Sequence, residues 1–179
     1  MQLNGSNGNV AEVSDSGQLS AFAVSEPEDK FINQRGGVHS IYFSVTPAGA
    51  NDYFYYLKNT GTSELSLTDI RIKSSVATTI YYEAVTGTPT YVTGTDTQDC
   101  NRNLGSSKLL NATSKYDTNI TGLTSGGVLF FERCATADVR YKLSTSSNII
   151  IPQGKAIAFR REAGTGLIEV VVSVVDSSV

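Results

Sequence analysis

The chain has 179 residues, with 14 basic and 17 acidic side chains and a net charge of −3. Its basic residues are scattered, whereas nucleic-acid binding requires a concentrated basic face, so we expect no nucleic-acid partner. No run approaches the roughly 18 to 20 consecutive apolar residues of a membrane span, so we expect no membrane partner either.

The first 35 residues have the features of a separate arm. Residues 7–13 and 18–24 are short alternating runs around the turn signal at residues 15–17, a pattern that predicts a β-hairpin. Five acidic residues and a single basic one, Lys30, lie in residues 1–30, which favours either docking on a basic surface or a solvated terminus. We therefore divide the chain into an arm, residues 1–35, and a body, residues 36–179.

From residue 38 onward the apolar residues alternate, as they do in half-buried strands. In residues 38–45, Ile41 and Phe43 share one face, and we assign His39 to the opposite, exposed face. Residues 52–58 carry aromatic side chains on both faces, which indicates either a central strand or a strand whose outer face is covered by a neighbour. In residues 64–73 the alternation changes phase, and a β-bulge near Thr68 and Asp69 would restore one inward face.

The second half of the body continues this pattern with one long interruption. A strand over residues 78–85, a hairpin turn at 86–89 and a short strand at 90–93 precede a polar loop, residues 94–121, with a weak helix signal at 106–115. Five more strands follow, at residues 127–134, 138–144, 148–151, 155–162 and 167–175, the last apolar on both faces and so expected to be buried on both. Short strands at this spacing predict an all-β, antiparallel sandwich or barrel.

We expect no enzyme, because the common catalytic patterns are missing. His39 is the sole histidine, and no G-x-S-x-G nucleophile elbow is present. Acidic residues of the body that interrupt strand patterns are expected to face solvent: Glu83, Glu132, Glu162 and Glu169. The sequence thus predicts no catalytic residue and no cofactor.

We expect no metal site. Residues 117–122 match the start of an EF-hand loop, but Val128 occupies the position that requires a glutamate. Residues 96–99 contain oxygen ligands for an irregular site, which is the alternative. We expect Cys100 and Cys134 to be buried free thiols rather than a disulfide. Arg160 and Arg161 point to opposite faces of a strand, and either could pair with a neighbouring subunit or remain solvated.

Three segments together resemble a family of virion proteins. They are residues 8–19, with the Asp15-Ser16-Gly17 turn; residues 53–72, with an aromatic strand and a Lys58-Asn59-Thr60-Gly61 turn; and residues 149–158, which lead to a valine-rich strand. In these segments the chain resembles the small jelly-roll decoration (cement) proteins on capsids of tailed bacteriophages.

The resemblance implies a jelly-roll body and a structural function. Such a protein binds the outer surface of the capsid as a homotrimer, its partner is the major capsid protein, and the arm is the segment expected to dock. It is made in the host cytoplasm and located on the virion surface. The alternative is a receptor- or glycan-binding module of a phage tail or head fibre, which would bind polysaccharide through exposed tyrosines and residues 94–121.

Overall fold

The protein is almost entirely antiparallel β-structure. The structure is a computed structural model and describes residues 2–4, 10–13, 19–21 and 32–177. The chain divides into two compact units, Met1–Phe31 and Ile32–Val179. The predicted all-β, antiparallel class is confirmed.

The N-terminal unit contains a small three-stranded sheet. Strands β1 (Gln2–Asn4), β2 (Val10–Val13) and β3 (Leu19–Ala21) lie in the order β1-β2-β3 and are antiparallel. The predicted hairpin is confirmed as β2 and β3, with Ala11 opposite Ala21 and Val13 opposite Leu19. Strand β1 was not predicted, and the turn at residues 14–18 lies outside the described residues.

The body consists of two five-stranded sheets. Its strands are β4 (Val38–Val45), β5 (Tyr53–Asn59), β6 (Leu65–Ser74), β7 (Thr78–Tyr91), β8 (Thr95–Asp96), β9 (Gln98–Asn101), β10 (Ala112–Cys134), β11 (Arg140–Ile151), β12 (Ala156–Arg161) and β13 (Ile168–Asp176). One sheet has the order β11-β6-β13-β4-β9 and the other β5-β12-β7-β10-β8. Strand β10 also pairs with β5, through its first residues.

The inward faces of the two sheets form one apolar core, which makes the body a β-sandwich. Aromatic rings fill its centre: Phe43 stacks on Tyr55 with ring centroids 4.6 Å apart, and Tyr82 meets Phe159 edge-on at 4.7 Å. Offset or edge-on contacts of this kind add stability beyond the apolar area they bury. The aliphatic residues of this core with at most 1% exposure are Ile41, Leu57, Leu65, Leu67, Ile70, Ile72, Ile80, Ile157, Ile168, Val170, Val172 and Val174.

The predicted bulge in β6 is confirmed. Along the pairing with β13, Asp69 lies opposite Ser173 and Leu67 opposite Val174, which leaves Thr68 as the extra residue. The apolar residues on both sides of Thr68 are therefore all turned inward and are 0–1% exposed: Leu65, Leu67, Ile70 and Ile72. A single inserted residue corrects the change of phase in the sequence.

Two strands were predicted to be covered on both faces, and the outcome differs between them. In β5, Phe54 and Tyr55 lie in the main core, while Tyr56 packs in a second cluster with Ile120 and Ala158, so the prediction is confirmed. In β13 one face is fully buried, but Val171 on the other face is only half-buried. Just before β13, Leu167 is 45% exposed, so the prediction is wrong at these two positions, whereas Val175 on the same face is buried, as predicted.

Between residues 86 and 121 the predicted turn and the predicted helix are both wrong. Strand β7 continues through the expected turn at 86–89, because its second half pairs with β10 over residues 120–125. Residues 112–115 belong to β10, and residues 106–111 contain no helix, so the helix signal was wrong. The polar composition of this segment reflects exposure. The residues of β7 after Val85 and the residues of β10 that pair with them are mostly exposed to solvent.

The turn after β5 is fixed by a buried asparagine. The Asn59 side chain is fully buried; its Nδ2 donates to the carbonyl oxygens of Ser63 (2.7 Å) and Ile151 (2.8 Å), and its Oδ1 accepts from the Gly61 N–H (2.9 Å). The amide therefore joins the turn to the end of β11.

Replacing Asn59 with alanine should lower the free energy of unfolding by about 3 kcal/mol, because buried backbone groups would lose their partners. The control is Asn103→Ala, since Asn103 makes similar bonds to Gln34 and Gly105 where solvent reaches them. That variant should lose less than about 1 kcal/mol. Urea denaturation measures both, and equal losses would contradict the assigned role of Asn59.

Candidate functional site

His39 lies in the core, not on the surface. Its position two residues before Ile41 places it on the same, inward face of β4, and its side chain is fully buried, so the predicted exposure was wrong. Its Nδ1 lies 3.1 and 3.2 Å from the two carboxylate oxygens of Asp99 on β9. Its Nε2 has no hydrogen-bond partner among the residues that the structure describes.

Asp99 lines a cavity of about 390 Å³ formed by residues 96–99 and 109–115. Here the chain leaves β8, in one sheet, and enters β9, in the other, so Thr97 bridges the edges of the sandwich. The lining residues are Asp96, Thr97, Asp99, Leu109, Leu110, Ala112, Thr113, Ser114 and Lys115. The cavity thus combines carboxylates, hydroxyls, an ammonium group and leucines.

A second buried polar side chain supports this cavity. The Tyr55 hydroxyl lies 3.1 Å from Ser114 Oγ, and Thr97 Oγ1 donates to Ser114 Oγ at 2.7 Å. Burial raises the pKa of Tyr55 well above its ordinary value, and the hydrogen bond with Ser114 only partly opposes this. Tyr55 therefore stays protonated and holds the hydroxyls of the cavity in place.

The two loop segments considered as calcium sites hold no acidic cluster. Asp117 is buried, and its carboxylate accepts N–H bonds from Thr93 (2.8 Å), Gly94 (2.9 Å) and Thr118 (2.6 Å). Burial raises its pKa, but these bonds outweigh burial and lower it. Within the described part of the chain, no group of three or more His, Cys, Asp and Glu side chains is arranged to hold a metal ion.

Glu83 is buried at 2% exposure, contrary to the expectation that it faces solvent. Arg160 donates to its Oε1 through Nε and Nη2, both at 2.7 Å, and Tyr53 donates to its Oε2 at 2.6 Å. Burial disfavours the charged carboxylate, but the bonds from Tyr53 and Arg160 and the charge of Arg160 outweigh it and lower the pKa of Glu83.

The two adjacent arginines point to opposite faces, as predicted. Arg160 also donates to Asn51 Oδ1 at 2.6 Å and lies over the Tyr81 ring. Arg161 is fully buried and donates to the carbonyl oxygens of Ala163 (2.8 Å) and Gly166 (3.2 Å). Neither is simply solvated: Arg160 has an ion-pair partner within the chain, and Arg161 stabilises the turn before β13.

The cysteines are unpaired, but only one is buried. Cys134 lies in the core, where burial raises its pKa to about 11, while Cys100 on the edge strand β9 is exposed. The prediction of two free thiols is confirmed, and the prediction that both are buried is wrong for Cys100.

The final part of β10 is an apolar strand at an open edge. After residue 120 it pairs with β7 on one side, and no strand of the described residues pairs with its other side. Four consecutive apolar side chains are exposed there: Val128 (50%), Leu129 (45%), Phe130 (37%) and Phe131 (62%). Leu129 also lines an apolar groove of about 300 Å³ together with Ile150, which is 45% exposed. We name Val128 to Phe131 the apolar edge.

The described residues contain no helix long and apolar enough to cross a membrane. No family model, curated protein or solved structure matches the chain. Its function therefore has to be inferred from its own geometry.

Replacing Glu83 with glutamine should lower the free energy of unfolding by about 3 kcal/mol at pH 7, because Arg160, whose side chain is only 20% exposed, loses its ionic partner. The folded pKa of Glu83 is lowered, so this stabilisation is present above the unfolded value near 4.5 and is lost as the pH falls through the folded pKa. The difference from wild type should shrink below about pH 4.

The control for this variant is Glu169→Gln. Glu169 forms a half-exposed ion pair with Lys73 at 3.0 Å, so its replacement should change the stability much less than that of Glu83. Thermal unfolding of both variants at pH 7 and pH 3 measures the effect. A Glu83→Gln loss that does not depend on pH would show that the ion pair is not its cause.

Proposed function

We propose that the chain is a structural, non-enzymatic virion protein that binds the outer surface of a tailed-phage capsid and stabilises it as a homotrimer. Its partner would be the major capsid protein, and it would be made in the host cytoplasm. The observation that carries the proposal is the apolar edge. Register shifts interrupt β10 near this edge, but its four exposed side chains are apolar, and exposed apolar patches mark sites of association.

We assign the apolar edge to contacts between copies of the chain. An edge strand leaves backbone donors and acceptors unpaired, and a strand from a second copy can use them while covering the apolar side chains. Closed homo-oligomers are the usual result of such self-association in soluble proteins. This contact also leaves other surfaces of the body available for the capsid.

The strand order supports the jelly-roll part of the proposal. Strands β4, β5, β6 and β7 alternate between the two sheets, and so do β10, β11, β12 and β13. This gives the four-stranded orders β4-β13-β6-β11 and β5-β12-β7-β10, an arrangement found in jelly rolls, which are common in capsid proteins. The strand order supports the fold assignment and does not identify the function.

The second candidate, a receptor- or glycan-binding module, receives mixed support. This candidate requires exposed tyrosines to bind polysaccharide. Within residues 32–177 only Tyr42 is exposed, at 42%, and the other tyrosines are buried or half-buried. The cavity at residues 96–115 is the observation that favours this candidate.

The trimer should appear in solution as a mass near three times 19.1 kDa by size-exclusion chromatography with light scattering. Replacing Phe131 with glutamate should shift the protein to a monomer, because a charge in an apolar contact loses its hydration. The control is Val139→Glu, since Val139 is another exposed apolar residue (44%, against 62% for Phe131) outside the apolar edge. A mass that Phe131→Glu leaves unchanged would exclude the apolar edge as the contact.

Capsid binding is tested by co-sedimentation with undecorated shells of the phage that encodes the chain. We expect wild type to sediment with the shells and to raise their resistance to heat, since a bridging protein stabilises the bound state. The Phe131→Glu variant should bind the shells more weakly, because a monomer makes one contact with the shell whereas a trimer makes three linked contacts. A chain that neither self-associates nor sediments with shells would contradict the proposed function.

A further inference from the structure

The cavity at residues 96–115 has the chemistry of a small-ligand site. Its volume of about 390 Å³ lies within the range of about 300 to 1,000 Å³ that is typical of ligand clefts. It is lined by two carboxylates and three hydroxyls as well as an ammonium group and two leucines. The apolar edge does not use these residues.

The polar groups of the cavity are held in place by two buried polar side chains, whose burial is energetically unfavourable. Burying a histidine or a tyrosine hydroxyl is unfavourable unless the group is hydrogen-bonded. His39 is fully buried and yet uses only Nδ1, which bonds Asp99, whose side chain is 28% exposed. Tyr55 is likewise fully buried, and its hydroxyl contacts Ser114. Both core residues therefore fix the orientation of groups that line the cavity, as the supporting residues of binding sites do.

The charges in the cavity restrict the ligand. Lys115 Nζ forms an ion pair with Asp96 at 2.8 Å and also contacts the Gly94 carbonyl oxygen at 3.3 Å. With Lys115 engaged in this way, Asp99 presents a second carboxylate, and a ligand carrying phosphate, sulfate or carboxylate would meet like charge. The cavity favours a ligand that donates hydrogen bonds and has no negative charge.

The leucines supply the complementary apolar surface. Leu109 is 79% exposed at the wall of the cavity, and Leu110 beside it packs against the main core. A pyranose ring has hydroxyls at its rim and C–H groups on its faces, so it can bond carboxylates and hydroxyls while a face rests on leucine.

We propose that this cavity binds a neutral sugar unit of a glycan. Asp99 accepts hydrogen bonds from two sugar hydroxyls, Thr97 and Ser114 contribute further bonds, and Leu109 packs on the sugar ring. The proposal rests on the second candidate function and does not require capsid binding. A protein on the outer surface of a virion could combine both activities.

Saturation-transfer NMR with the full chain tests the site directly. The probes are glucose, galactose, mannose and N-acetylglucosamine at about 10 mM, a concentration that detects millimolar affinity, with sialic acid and glucose 6-phosphate as anionic comparisons. We expect signal from at least one neutral sugar and none from the anionic probes. Signal confined to the anionic probes, or absent from all, would overturn the proposal.

Three variants locate the binding. Asp99→Asn should weaken the affinity at least about tenfold, because it removes a charged acceptor, and Asp138→Asn, a matched change at an exposed aspartate away from the cavity, should leave it unchanged. Leu109→Ala cannot disturb the core, since its side chain is mostly exposed, and should weaken binding about threefold. Equal affinity in wild type, Asp99→Asn and Leu109→Ala would place the sugar elsewhere and overturn the assignment.

The capsid measurement separates this proposal from the structural one. Asp99→Asn should still self-associate and sediment with shells, because the apolar edge is intact. Loss of sugar binding with retained sedimentation is the expected pattern for this variant. Weaker sedimentation with retained sugar binding, expected for Phe131→Glu, would show that the two functions use different surfaces.

Discussion

The alternation of side chains along a strand requires each strand that lines the core to keep one face turned to the space between the sheets. Strand β13 follows this rule most strictly. It pairs with β4 on one side and with β6 on the other, and Ile168, Val170 and Val172 on its inward face are fully buried. The bulge at Thr68 lets β6 follow β13 without turning its own leucines outward. The packing of Phe43, Tyr55 and Phe159, and thereby the position of the cavity, depends on that register.

The strands with clear alternation could be predicted from the sequence, and so could the bulge, because a change of phase leaves a local signature. Exposed strands could not. Residues 86–91 and 120–124 are rich in Thr and Gly and pair with each other largely in solvent, so no apolar period marks them. The buried charge of Glu83 was missed for a related reason, since its partner Arg160 lies 77 residues further along the chain.

The cavity was beyond the reach of sequence patterns. Its supporting contacts join residues that are 60 apart (His39 and Asp99) and 59 apart (Tyr55 and Ser114). Residues 96–99 were considered as oxygen ligands only as the alternative to the expected absence of a metal site, and the structure gives Asp96 and Asp99 the partners Lys115 and His39. Counting the alternation from Ile41 back to residue 39 would have placed His39 on the inward face of β4, but it would not have identified Asp99 as its partner.

The central position of β13 also affects how the protein is made. Strand β4 is synthesised more than 120 residues before β13. The edge of β4 that pairs with β13 therefore stays without its native partner until the ribosome has synthesised the intervening chain. During that interval the apolar faces of β4 and β6 are exposed on nascent chains that lie close together on a polysome. Assembly of that sheet is therefore a late event governed by distant contacts, and the yield of native protein will depend on holding early strands apart until β13 arrives.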